Sequence, residues 1–132
     1  MAYTPPAVRP QTHLGCYLRS ALISSLDPMA ILEDLVGRFA DRSATVSIIG
    51  LRYVGLPLLL RFAEVGYPLI GIDIDPDKIA SLTRGESYLR HIPDAAISAS
   101  VRPNVRFTTD ISAVRDADAV IICVPTPLNA YR

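Results

Sequence analysis

At 132 residues the chain is long enough for one domain with a buried core and too short for two of ordinary size. Thirteen basic and thirteen acidic residues cancel, which leaves no electrostatic footprint for a nucleic acid or an anionic membrane. Half the residues are hydrophobic and mean hydropathy is +0.31, the composition of strands buried on both faces or of a piece that packs against more protein. No uncharged run approaches the ~20 residues of a membrane span. Two cysteines, Cys16 and Cys123, form no framework, so the expected compartment is the reducing cytoplasm.

The amino-terminal stretch differs from the rest. Pro5, Pro6 and Pro10 disfavour a helix or a central strand. Residues 14–26 are mildly apolar but have neither the positive start nor the small-residue cleavage site of a signal peptide. Residues 1–27 are therefore expected to be a disordered extension, with a structured element as the alternative. His13 and Cys16 are too isolated to be metal ligands. Asp27-Pro28 then pairs a capping residue with proline at the first helical position. Ile31, Leu32, Leu35, Val36 and Phe39 follow at helical spacing and predict a helix ending near Asp41-Arg42. Its apolar stripe reads as core or interface packing.

Residues 44–49 are short, apolar and β-branched, as suits a buried parallel strand. Gly50-Leu51-Arg52-Tyr53-Val54-Gly55 follows and leads into a helical run over residues 53–65, with Pro57 in its first turn and Gly66 as its stop. Strand, glycine turn and helix open a dinucleotide-binding βαβ unit, whose fingerprint is Gly-x-Gly-x-x-Gly. Gly50 and Gly55 hold the first and third places; Arg52 stands at the second, where glycine would let the backbone approach a pyrophosphate. The arginine has the right charge for that anion, but its bulk lies where the cofactor is expected.

A second strand covers residues 69–73. Asp73 falls 23 residues after Gly50, near the ~20-residue offset at which a carboxylate bonds the adenosine ribose. The bland alternative is an aspartate that merely ends a strand. Asp75-Pro76 repeats the cap-then-proline device for a helix carrying Lys78, Ile79 and Leu82 and ending at Gly85. After a connection over residues 86–92, Pro93 and Asp94 open a short helix to about Ser100. Residues 105–108 form a third strand and residues 110–115 one or two helical turns. The apolar run 119–124 forms a fourth strand, stopped by Pro125-Thr126-Pro127. The alternation predicts an α/β, Rossmann-like, doubly wound parallel sheet, incomplete at about four strands in the order 3-2-1-4, with an added N-terminal helix. The site belongs at the carboxyl ends of strands one and four, with the Gly50 turn opposite residues 124–128.

Three segments, in this order and spacing, resemble the amino-terminal domain of UDP-glucose/GDP-mannose dehydrogenases. They are Gly50-Leu51-Arg52-Tyr53-Val54-Gly55-Leu56-Pro57, Gly71-Ile72-Asp73-Ile74-Asp75, and Cys123-Val124-Pro125-Thr126-Pro127-Leu128-Asn129. Gly85-Glu86-Ser87-Tyr88-Leu89-Arg90-His91-Ile92-Pro93 resembles the UDP-N-acetylglucosamine 6-dehydrogenase branch. The resemblance spans about residues 29–132 and makes 28–132 an NAD-binding Rossmann domain. It implies an NAD-dependent oxidation of C6 of a nucleotide sugar from alcohol to carboxylate, as in polysaccharide biosynthesis. It also implies that Gly50, Leu51, Arg52, Tyr53, Val54 and Gly55 hold the pyrophosphate. Asp73 then binds the ribose with Lys78 beside it, and Val124, Pro125 and Thr126 line the other side. A carboxylate at Asp73 favours NAD over NADP, because it repels a 2′-phosphate.

Arg52 departs from the family's Gly-Leu-Gly-Tyr-Val-Gly. The family's nucleophilic cysteine, catalytic lysine and UDP-binding domain lie beyond the counterpart of Arg132. The expectation is thus a truncated NAD-binding domain without catalytic residues or metal, inactive alone, with UDP-sugar a partner only in a full-length enzyme. The second reading is a degenerate Rossmann module that no longer binds NAD and associates with another chain, such as a full-length homologue. Cys123 reads as a small buried hydrophobe and His91 as a surface or packing residue. Because family members commonly begin with a helix and an Asp-Arg-Ser like Asp41-Arg42-Ser43, Met29 is an alternative translation start.

Overall fold

The computed structural model describes residues 27–125. The expected extension over residues 1–27 lies outside them apart from Asp27, and Thr126 of the expected site also lies outside. The chain divides into two compact units, Met1–Glu33 and Asp34–Arg132. In the first, Asp27 starts helix α1 (Pro28–Ala40) as its sequence predicts: its carboxylate accepts from the Met29 amide at 3.0 Å and its carbonyl from the Ile31 amide at 3.3 Å.

The second unit holds the last turns of α1 and a four-stranded sheet. Its elements are β1 (Val46–Ile49), α2 (Gly55–Val65), β2 (Leu69–Ile72), α3 (Pro76–Thr83), α4 (Asp94–Ser100), β3 (Val105–Thr108), a 3₁₀ turn (Ile111–Asp116) and β4 (Ala119–Ile122). All pairings are parallel and the strand order is β3-β2-β1-β4, the predicted one. Val46 stands beside Leu69 and Ala119 in register. The order reverses direction between β3 and β4, so right-handed crossovers put the connections on opposite faces of the sheet.

The pleat sorts side chains accordingly. Val46, Ile48 and Leu69 join Leu56, Leu59 and Ala63 of α2, Leu82 of α3 and Ile97 of α4 in the main core. Ile70 and Ile72 face the other way, against Ala113, with Ile49, Val114 and Ala117 packed around them. This second layer is thin. The fourth strand spans Ala119–Ile122 within the expected run 119–124; a continuous apolar run in a parallel sheet is ordinarily buried on both faces, yet Val120 and Ile122 are exposed, Ile122 by 68%. The cause is simple: the 3₁₀ turn covers β2 and the edge of β1, and among the described residues no element lies over that face of β4.

Two polar ties close the end of the sheet opposite the glycine turn. Arg38 forms a bidentate ion pair with Asp118, which also accepts from the Thr45 amide at 2.8 Å. Tyr67 donates to the Phe39 carbonyl at 2.8 Å and packs its ring against Phe39 and Phe62. The periodicity of α1 thus serves packing at Phe39, whereas Val36 is exposed. Helix α2 starts at Gly55 rather than at the predicted Tyr53, because residues 52–54 are still completing the turn.

Candidate functional site

The site is built from the chain between β1 and α2. Gly50 has φ of 91°, a left-handed conformation that side chains rarely adopt. Its amide donates to Ile72 O at 2.8 Å, and a Cβ there would lie 2.8 Å from the Cys123 carbonyl oxygen. Gly50 is therefore required by both conformation and space. Gly55 is helical, and only space requires it: an added Cβ would lie 1.9 Å from the Gly50 carbonyl oxygen. These are the roles the fingerprint assigns to its first and third glycines.

The second place is different. Arg42 is the single non-glycine residue with positive φ among those described, so Arg52 sits in an ordinary conformation and arginine costs the backbone nothing. Its side chain is exposed. Tyr53 and Val54 are exposed too, and Tyr53 stacks on His91 with ring centroids 5.9 Å apart. Helix α2 begins without a side-chain cap, and among the described residues the amides of Arg52, Tyr53 and Val54 donate to no carbonyl. Uncapped amides at a helix amino terminus, with the dipole behind them, suit an anion.

Asp73 follows β2 and is only 6% exposed. One carboxylate oxygen accepts from the Leu51 amide at 2.9 Å. The other accepts from the Asp75 amide at 3.1 Å and from Lys78 Nζ at 3.4 Å. A carboxylate offers about four lone-pair sites, so about one remains for a ligand hydroxyl. Lys78 Nζ also lies 3.4 Å from Asp75, and two of its three donors are engaged. Asp73 thus does more than end a strand: it ties the glycine turn to β2 and α3. Lys78 stands beside it, as the resemblance implies.

Across the turn, Cys123 donates its amide to Ile49 O at 2.7 Å, and Val124 N would lie 3.1 Å from a Cβ on Gly50. Val124 and Pro125 leave β4 here, exposed, on the expected opposite side. Gly50, Leu51, Arg52, Tyr53, Val54, Gly55, Asp73, Lys78, Val124 and Pro125 therefore converge at the carboxyl ends of β1, β2 and β4. The Cys123 side chain packs half-buried against the main core.

One contributor is legible in the sequence only as part of a motif. Tyr88, in the strap of residues 86–92, donates its hydroxyl to the Leu51 carbonyl, and its ring centroid lies 5.9 Å from Lys78 Nζ. Burial raises its pKa first, the charges of Asp73 and Asp75 add to the rise, and Arg52 opposes it. Among the described residues no group of three metal-ligating side chains forms, and no helix is long and apolar enough to cross a membrane.

A parallel sheet in the order 3-2-1-4, with a glycine turn at the switch point and a carboxylate after the second strand, defines a dinucleotide-binding Rossmann domain. Residues 44–132 match the profile of the UDP-glucose/GDP-mannose dehydrogenase family, NAD binding domain, and the chain belongs to that family. It is 38% identical over 84 residues to a UDP-glucose 6-dehydrogenase of Haloferax volcanii, covering 62% of this chain and 19% of that protein. With a UDP-N-acetyl-D-glucosamine 6-dehydrogenase of Salmonella typhi it shares 31% over 94 residues, 71% of this chain and 21% of the other. The GDP-mannose dehydrogenase of Pseudomonas aeruginosa, solved as a ternary complex, superposes with a TM-score of 0.59 at 32% identity, over 64% of this chain and 20% of that one. The chain spans about a fifth of the length of these relatives.

Proposed function

We propose that this chain supplies the NAD-binding domain of a nucleotide-sugar 6-dehydrogenase whose substrate is a UDP-sugar, UDP-N-acetylglucosamine or a relative, oxidised at C6 to the uronate. The observation that carries the reading is the Asp73 carboxylate holding the Leu51 amide at 2.9 Å, which joins the ribose position to the pyrophosphate turn in one hydrogen-bonded unit. NAD, when bound, supplies the hydride acceptor. The chain's own residues bind and orient it: the turn 50–55 faces the pyrophosphate, Asp73 and Lys78 the adenosine ribose, and Val124 and Pro125 the opposite wall. By itself the chain holds the cofactor and turns over no sugar. Cys123 is a poor nucleophile because its side chain is packed against the core.

Arg52 favours a second reading, a Rossmann module that has lost NAD and acts by protein association. One titration separates the two. An arginine that blocks the pyrophosphate forfeits charge-assisted hydrogen bonds at ~1.5–3 kcal/mol each. A loss of ~3 kcal/mol is more than a hundredfold in affinity. Calorimetry with NAD is expected to show weak binding by the natural chain and about hundredfold tighter binding by Arg52→Gly. Equal affinities, or tighter binding with Arg52, would make Arg52 a phosphate ligand. No binding by either chain would leave the association reading.

A further inference from the structure

We propose that Tyr88 is a positioning residue for the cofactor, aiming the Arg52 amide at the pyrophosphate by holding the Leu51 carbonyl. The inference rests on the NAD-binding reading. Two consecutive peptide planes are pinned at Leu51. Its N–H donates to Asp73 at 2.9 Å, and its C=O accepts from the Tyr88 hydroxyl. No cis peptide bond is present among the described residues. In a planar trans peptide the C=O of one residue and the N–H of the next point in opposite directions. A carbonyl held toward Tyr88 therefore turns the Arg52 N–H away from the strap, and that amide donates to no carbonyl among the described residues. Arg52 occupies the place where the fingerprint brings backbone closest to the pyrophosphate.

The strap is firm enough to hold it. Leu89 and Ile92 are buried in the main core. The Ser87 amide donates to Asp94 at 2.7 Å, and the Ser87 hydroxyl to the Leu89 carbonyl at 3.1 Å. Lys78 lies against the Tyr88 ring, and the Tyr53–His91 stack stitches strap to turn a second time.

The test uses the full 132-residue chain and Tyr88→Phe, which keeps the ring beside Lys78 and removes only the hydroxyl. NAD, ADP-ribose and adenosine are titrated into both by NMR. The expected result is about tenfold weaker binding of NAD and ADP-ribose by the variant, the loss of one oriented donor, with adenosine unchanged. A merely structural role would weaken all three alike and would overturn the proposal, as would equal NAD affinities. A second measurement needs no variant: ADP-ribose should shift the Arg52 amide resonance of the natural chain strongly and adenosine should not. An Arg52 amide indifferent to ADP-ribose overturns the proposal even if Tyr88→Phe fails to fold. A natural chain that binds neither NAD nor ADP-ribose overturns the NAD-binding reading first, and this inference with it.

Discussion

Gly55→Ala isolates the close packing of α2 on β1, because nothing but space opposes the added methyl group. The backbone at Gly55, the first residue of α2, is helical and suits alanine, and the change gains at most the ~1 kcal/mol that separates the two residues in a helix interior. Here the new Cβ would lie 1.9 Å from the Gly50 carbonyl oxygen, 3.0 Å from its carbon and 3.2 Å from Cys123 Cβ. Ordinary contact needs roughly 3.5 Å, so the start of α2 must move away from the turn by about 1.5 Å. Both clashing partners on Gly50 are backbone, and no rotamer relieves them. Overpacking of this kind costs about 3 kcal/mol or more, leaving a net loss of about 2 kcal/mol after the helix gain. At 4–8 °C per kcal/mol for a domain of ~100 residues, the melting temperature should fall by roughly 10–15 °C. Gly37→Ala is the matched control: it is also helical, and its added Cβ meets nothing within 4 Å. It should raise stability by about 0.4–1 kcal/mol. Thermal unfolding followed by circular dichroism reads both. A Gly55→Ala chain as stable as its parent would refute the packing argument.

Two further predictions concern single polar groups. The hydroxyl of Ser47 is fully buried in the middle of β1 and has no hydrogen-bond partner among the described residues. Ser47→Ala should therefore raise stability by about 1 kcal/mol in chemical denaturation, and a loss instead would reveal a partner for that hydroxyl. The Tyr88 phenol has its pKa raised by burial and by Asp73 and Asp75, so the unfolded chain releases that proton at lower pH than the folded one. Its stabilising share is complete below the ordinary tyrosine pKa of ~10 and is lost as pH rises beyond it. Unfolding free energies between pH 9 and 11 should fall more steeply for the natural chain than for Tyr88→Phe; parallel curves would contradict the shift.

Much of the fold was legible because it rests on local periodicity. Parallel strands buried on both faces appear as short apolar runs, cap-then-proline pairs at Asp27-Pro28 and Asp75-Pro76 start helices, and Gly66 ends one with φ of 103°. Strand order followed from the glycine turn after β1, which marks a dinucleotide-binding doubly wound sheet of that order. Gly50, Gly55 and Asp73 were legible as site residues because their spacing is itself the signal. What local pattern could not carry was direction and cover. The run in β4 gave no hint that Val120 and Ile122 are exposed, since burial depends on which elements cross which face. The aspartate's offset suggested a ribose ligand, yet three of its lone-pair sites are taken up within the protein by groups at 51, 75 and 78. Arg52 read as an obstacle, and only the backbone angles show that its main chain is unstrained. Arg38 and Asp118 stand 80 residues apart, and Tyr88 meets Leu51 across 37. Contacts at such separations leave no periodic trace, because the packing of whole elements, not their neighbours in sequence, brings the groups together.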